Sequence, residues 1–224
     1  MNKKMMLLAT ALTALAFAAL PAVASAGTPE THCPGGSASC AIEISGGISE
    51  WTRTSNSLHI ECTGLAGTGT MGTTGGTIVL SFSGCKEEFF GKCGTVSSGS
   101  GVITTTTLPY DNVYTADNKT SPGVLITPAA GTSHLMTFKC GDGTHVVSGN
   151  GLIGSLSAPF CGSSAATLGL SFSQSSKGHQ THRQITGTGA IFDLTDNFSL
   201  STFGTNTAPT VKVAGGGSIS LTCP

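Results

Sequence analysis

Glycine recurs so often past residue 27 that no long stretch of this chain can carry a helix. The 224 residues include 32 glycines, and each would cost a helix interior about 1 kcal/mol relative to alanine. No window there keeps an apolar period of 3.6. A period of two survives instead. Leu58, Ile60 and Cys62 alternate with His59 and Glu61, and Ile78, Leu80 and Phe82 alternate with Val79 and Ser81. The pattern returns at Met136, Phe138 and Cys140, at Leu168, Leu170 and Phe172, at Val211 and Val213, and at Ile219, Leu221 and Cys223. Between these runs lie the turn signals Gly46-Gly47, Gly75-Gly76, Asp142-Gly143, Asn150-Gly151 and Gly215-Gly216-Gly217. Roughly a dozen short strands separated by such turns predict a sandwich or a barrel. The expected fold class is therefore all-β, a single disulfide-bonded antiparallel β-sandwich or barrel-like domain.

The first 26 residues read differently. Lys3 and Lys4 precede a nearly uninterrupted apolar run from Leu7 to Leu20, Pro21 breaks it, and Ala24-Ser25-Ala26 supplies small residues where a signal peptidase cuts. A membrane span needs about 20 apolar residues, more than this run provides. The expected organisation is a signal peptide over residues 1–26 and one secreted all-β domain over 27–224, with no transmembrane anchor in the mature chain. Loss of Lys3 and Lys4 leaves eight basic residues against eleven acidic ones. Charged residues make up 9% of the chain, far below the usual quarter or so. With no basic run past Gly27, nucleic acid is excluded as a partner, and so is an anionic membrane surface.

All eight cysteines fall in the mature part, and an even number behind a leader implies a disulfide framework. Proximity along the chain suggests Cys33 with Cys40, Cys85 with Cys93, Cys140 with Cys161, and Cys62 with Cys223. Zinc–thiolate chemistry is set aside, because no Cys-x-x-Cys occurs and export oxidises thiols.

Reactive constellations are sparse. No Gly-x-Ser-x-Gly elbow is present. Glu87 and Glu88 read as a solvated turn in a cystine loop, and Asp111, Asp117, Asp142 and Asp196, beside Gly or Asn, read as turn formers. His59 and Glu61 share a strand face as a polar pair. Trp51, the single tryptophan, reads as core. Thr104 to Thr107 reads as a half-exposed strand. Asp193 and Asp196-Asn197 lack the spacing of a calcium loop. His179 and His182 stand three apart, which on a strand sends them to opposite faces and not to one ion. Leu80-Ser-Phe-Ser83 recurs as Leu170-Ser-Phe-Ser173, which a Ser-rich alphabet produces by chance.

No catalytic, cofactor-binding or metal-binding residue is assigned from the sequence. The expected function is a non-catalytic extracellular or cell-envelope β-module with a structural or binding role. The alternative is a small secreted hydrolase whose site is assembled from dispersed His, Asp, Glu and Ser residues. A close cluster of such groups in space would favour the alternative. The leader makes one prediction at once: N-terminal sequencing of exported protein starts at Gly27, and recovery of an uncleaved, membrane-embedded chain contradicts it.

Overall fold

The computed structural model describes residues 27–54, 58–95, 99–115, 121–158, 160–174, 179–186, 190–197 and 199–224. The expected leader lies outside them. The first strands are β1 (Glu30–His32), β2 (Ser39–Gly46), β3 (Ser49–Arg53), β4 (Leu58–Cys62), β5 (Gly64–Gly72), β6 (Gly75–Ser83) and β7 (Lys86–Glu87). Then come β8 (Gly91–Lys92), β9 (Val102–Thr104), β10 (Leu108–Tyr114), β11 (Pro122–Ile126), β12 (His134–Cys140), β13 (Gly143–Gly149) and β14 (Leu152–Ala158). The last are β15 (Ser163–Ala165), β16 (Thr167–Ser171), β17 (Leu194–Asp196), β18 (Ser199–Thr205), β19 (Thr210–Val213) and β20 (Ile219–Thr222). Among the described residues the only helical element is a 3-10 turn at Pro34–Gly36.

Every strand pairing is antiparallel, and two sheets curl into barrels. The first runs β10–β11–β14–β16–β19–β2–β5–β6, and β6 pairs back onto β10, which closes an eight-stranded ring. Strand β9 takes the remaining length of that β6 edge. The second runs β12–β13–β17–β18–β3–β4–β7–β8. Its two ends meet where Gly94 and Lys139 exchange backbone hydrogen bonds of 2.9 Å in each direction. Closure removes the free edges that antiparallel sheets otherwise expose.

The two rings follow one order. Strands β11, β14, β16, β19, β2, β5 and β6 of the first are neighbours in sequence of β12, β13, β17, β18, β3, β4 and β7 of the second. Seven of the eight wall strands of one barrel thus adjoin a wall strand of the other along the chain, and the barrels stack end to end around one continuous core. Trp51, Phe82, Phe172 and Phe203 join the two interiors. Phe203 lies 4.3 Å from Trp51, 5.8 Å from Phe82 and 5.2 Å from Phe172, measured between ring centroids. Phe82 and Phe172 are the phenylalanines of the repeated Leu-Ser-Phe-Ser string. Strands β1, β20 and β15 form a small third sheet that covers the outer end of the first barrel, where Asn112 Nδ2 donates to Thr31 Oγ1 at 3.0 Å.

The apolar residues of the period-two runs point inward, as expected: Leu58, Ile60, Ile78, Leu80, Phe82, Met136, Phe138, Leu168, Leu170, Val211 and Val213 are all buried. Apolar side chains inside and Ser, Thr and Gly outside are the reverse of a membrane barrel's outward apolar band. Gly75-Gly76 departs from expectation. These residues begin β6 and form no turn, because three backbones crowd there: a Cβ on Gly76 would lie 2.0 Å from the Thr70 carbonyl oxygen. The threonine run likewise stops being strand at Thr104.

The disulfides differ from the proximity scheme except at Cys33–Cys40. The bonds are Cys62–Cys85, Cys93–Cys140 and Cys161–Cys223. Cys85 and Cys93 do face each other across the β7–β8 hairpin, with Cys93 N–H donating to the Cys85 carbonyl at 3.0 Å. Yet Cys85 bonds to Cys62 at the end of β4, and Cys93 bonds across the barrel seam to Cys140 at the end of β12. Nearness in sequence failed because a closed barrel brings its first and last walls together. Cys140 and Cys161 end up on different barrels, and Cys223 secures the covering sheet to Cys161.

The aromatic junction carries a prediction. Replacing Phe203, fully buried among three other rings, by alanine should destabilise the protein by about 3–5 kcal/mol, measured by denaturant unfolding at unchanged slope. A loss below about 1 kcal/mol would mean that the two barrels do not share this core.

Candidate functional site

The interior of the second barrel turns polar at its outer end, away from the aromatic junction. Strand alternation explains which side chains gather there. Arg53 follows Trp51 by two residues on β3, and Asp196 follows Leu194 by two on β17. His145 precedes Val147 by two on β13, and Glu87 lies opposite inward-facing Ile60 in the β4–β7 pairing. In each case the apolar partner fixes the inward face and the polar residue shares it. Asp142 is set at the turn between β12 and β13.

Two local devices fix the positions. At the β17–β18 turn Asn197 adopts φ 47°, a left-handed conformation that asparagine tolerates. Its side chain accepts from Val146 N–H at 3.0 Å and donates to the Thr144 carbonyl at 2.8 Å. That clamps Asp196 against His145. At the seam, Gly141 lets the β7–β8 turn come close, since a Cβ there would lie 2.3 Å from the Phe90 carbonyl oxygen. This contact and the Cys93–Cys140 bond bring Glu87 to Asp142.

Asp196 Oδ2 accepts from Arg53 Nη2 at 2.8 Å and from Arg53 Nε at 3.2 Å. His145 Nδ1 lies 2.8 Å from the same oxygen. The opposite ring nitrogen, Nε2, lies 2.8 Å from Asp142 Oδ1. The imidazole also stacks on Phe138, with 5.0 Å between centroids and 7° between planes. His145 is 1% exposed and Glu87 2%, whereas the Asp142 side chain is 23% exposed and opens the site to solvent.

Electrostatics follow from these contacts. Burial works against a charged His145, but its hydrogen bonds to Asp196 and Asp142 outweigh that and raise its pKa above the usual imidazole value. Burial likewise opposes the Asp196 carboxylate, but hydrogen bonds from His145 and Arg53 hold its pKa below the ordinary range. Glu87 is pushed up to about 7, first by burial and then by the neighbouring Asp142 carboxyl. Neither Glu87 oxygen has an N–H or a committed O–H donor among the described residues. With His145 neutral and the acids ionised, the cluster holds one positive and three negative charges.

The ligand-type atoms of Glu87, Asp142 and His145, together with Cys140 Sγ, lie within 4.8 Å of one another. Cys140 is no thiolate donor, because its sulfur is bonded to Cys93. Three donors remain. On the outer face of the same wall a surface groove of about 240 Å³ is lined by His59, Glu61, Lys86, Glu87 and Glu88.

Several sequence expectations are corrected here. Glu87 is no solvated turn residue, because β7 turns it into the barrel. Asp196 does adjoin a turn, as the last residue of β17, but it is buried and paired. His59 and Glu61 reach other partners: His59 Nε2 lies 3.8 Å from Glu50 and Glu61 lies 3.7 Å from Lys86. Asp193 holds Arg183 through Nε at 2.8 Å and through a second contact from Nη2, with His179 Nδ1 3.6 Å away. His182 sits elsewhere, lining an open depression beside Cys161 and Cys223. Trp51 is core, as expected. The one clue in the sequence to the cluster was the placement of Asp142 and Glu87 two residues past a cysteine.

No protein-family model, curated protein or solved structure matches this chain. What fold and site define is a class: a disulfide-tied all-β protein of two stacked antiparallel barrels, one of them plugged by ionisable groups.

Removing one partner from a buried pair strands the other charge. Asp196→Ala should therefore cost about 3–5 kcal/mol, while Lys212→Ala, which breaks an exposed 3.0 Å pair with Glu43, should cost under about 1 kcal/mol. Thermal or denaturant melts of both variants check this, and equal losses would show the plug to be solvated.

Proposed function

We propose that this protein is a non-catalytic extracytoplasmic β-module with a structural or binding role. The observation that carries the reading is the pairing of all eight cysteines into four disulfides, which join the barrel seam, the barrel junction and the covering sheet. Such bonds persist where the environment is oxidising. The leader over residues 1–26 supplies the route. Side chains fill the barrel interiors: among the described residues, two apolar cavities there measure about 40 and 30 Å³, room for a water or two and no organic ligand. A partner or an organic ligand is therefore met by the outside of the barrels. No helix among the described residues is long and apolar enough to cross a membrane.

The hydrolase alternative has one observation in its favour, the convergence of Glu87, Asp142 and His145 from distant points of the chain. Burial weighs against it. A general acid or base must reach its substrate within hydrogen-bonding distance, and two of these three groups are almost wholly enclosed.

Expression with the native leader tests the proposal. The mature chain should be recovered outside the cytoplasm with no titratable thiol under denaturing, non-reducing conditions, and reduction should lower its melting temperature sharply. Two or more free thiols, or retention in the cytoplasm, would refute the extracytoplasmic reading. Turnover of ester, peptide or glycoside substrates that vanishes in His145→Gln would refute the non-catalytic one.

A further inference from the structure

We propose that Glu87, Asp142 and His145 form a binding site for one divalent transition-metal ion of the zinc type, closing the outer end of the second barrel. The inference goes beyond the structural or binding role argued above and does not depend on it.

The first support is geometric. Two carboxylates and one imidazole present donor atoms within 4.8 Å of one another. A tetrahedral ion with bonds of about 2.0–2.1 Å keeps its ligands roughly 3.3–3.4 Å apart, so modest side-chain adjustment seats it. The second support is Glu87. Its carboxyl is buried, aimed at Asp142 and His145, and neither oxygen finds a fixed donor among the described residues. A buried carboxyl facing another carboxyl is costly, and a cation between the two removes that cost.

The third support lies behind the imidazole. Metal-bound histidines usually donate their other ring N–H to a carboxylate, which fixes the ring and raises its basicity. His145 has this arrangement: Nδ1 meets Asp196 Oδ2 at 2.8 Å, Arg53 Nη2 reaches the same oxygen at 2.8 Å and lies 3.1 Å from Nδ1, and Phe138 stacks flat on the ring. Nε2 is left facing Asp142 and Glu87. Charge agrees as well: ligation requires the imidazole neutral and the carboxylates ionised, and in that state three carboxylates against Arg53 leave a deficit of two, which a divalent ion balances.

The donor set selects the metal class. Imidazole with carboxylate suits zinc and its first-row neighbours, whereas calcium takes oxygen ligands almost alone. Three protein ligands leave a further position for water, on the side where the Asp142 side chain meets solvent.

The test uses the full mature chain, disulfides intact, stripped with chelator and titrated calorimetrically with Zn²⁺ alone, then with Mn²⁺ and Ca²⁺. One Zn²⁺ per chain is expected, with a raised melting temperature. Glu87→Gln and Asp142→Asn should each abolish that binding or weaken it at least tenfold. Asp142→Asn sits at the solvent-facing edge, so circular dichroism should find it folded and able to report even if a buried variant is not. Asp196→Asn should weaken binding tenfold to a hundredfold through loss of ring orientation. A His179→Ala/His182→Ala double variant should bind as the parent does. The proposal is overturned by no Zn²⁺ uptake at millimolar metal, by uptake unchanged in both Glu87→Gln and Asp142→Asn, or by loss in the His179/His182 variant. Tighter binding of Ca²⁺ than of Zn²⁺ also overturns it, as does uptake that appears only once Cys93–Cys140 is reduced.

Discussion

The seam of the second barrel depends on a short stretch of contact. Gly94 and Lys139 exchange two backbone hydrogen bonds, the adjacent Cys93–Cys140 bond holds the same two strands covalently, and Gly141 admits the Phe90 carbonyl at close range. The flanking strands β7 and β8 are only two residues each, too few to hold an edge by pairing alone. Covalent closure at this point converts an open sheet into a ring. It also decides what the ring contains, because Glu87 arrives on one side of the seam and Asp142 and His145 on the other. The Cys62–Cys85 bond secures the entry to β7 in the same way.

A closed antiparallel barrel gives each wall residue one of two environments. Inward positions from the first barrel, through the aromatic junction, and half-way along the second are apolar and pack together without a large void. The outer end of the second barrel breaks the pattern with five ionisable groups. Enclosing charges is expensive unless each finds a partner, and here partners come in a chain: Arg53 to Asp196, Asp196 to His145, His145 to Asp142. Glu87 is the carboxylate of which neither oxygen finds a hydrogen-bond partner among the described residues, whereas Asp196 leaves only Oδ1 without one. The opposite end of the molecule is sealed differently, by the small β1–β20–β15 sheet and two disulfides.

The stacked arrangement also gives the internal echo of sequence a physical meaning. Leu80-Ser-Phe-Ser83 ends β6 and Leu170-Ser-Phe-Ser173 runs off the end of β16, both in the wall of the first barrel, and both phenylalanines reach the junction where Phe203 sits. The repeated string thus marks two equivalent stations around one ring, each supplying an inward leucine and an aromatic ring at the mouth.

Sequence alone determined the local conformation and the inward face. Thirty-two glycines forbade helix, period-two runs chose strand, and the same alternation gave the inward face of the strands it named, because side-chain direction on a strand is a local property. Buried Ile42, Ile44, Met71, Leu152 and Phe203 lay outside those runs. The even count of eight cysteines also pointed to the paired state that the four disulfides show. Tertiary structure decided whatever depended on which walls meet. Three of four disulfide partners were misjudged from proximity, because ring closure joins segments far apart in the chain and separates near ones. Glu87 and Asp196 read as turn residues for the same reason: short strands at a barrel's end look like loops until the neighbouring wall is known. The meeting of Arg53, Glu87, Asp142, His145 and Asp196 is a property of the tertiary fold. Only Asp142 and His145 are neighbours along the chain, Arg53 and Asp196 reach them through the β3–β18–β17–β13 pairings, and Glu87 arrives across the seam at Cys93–Cys140.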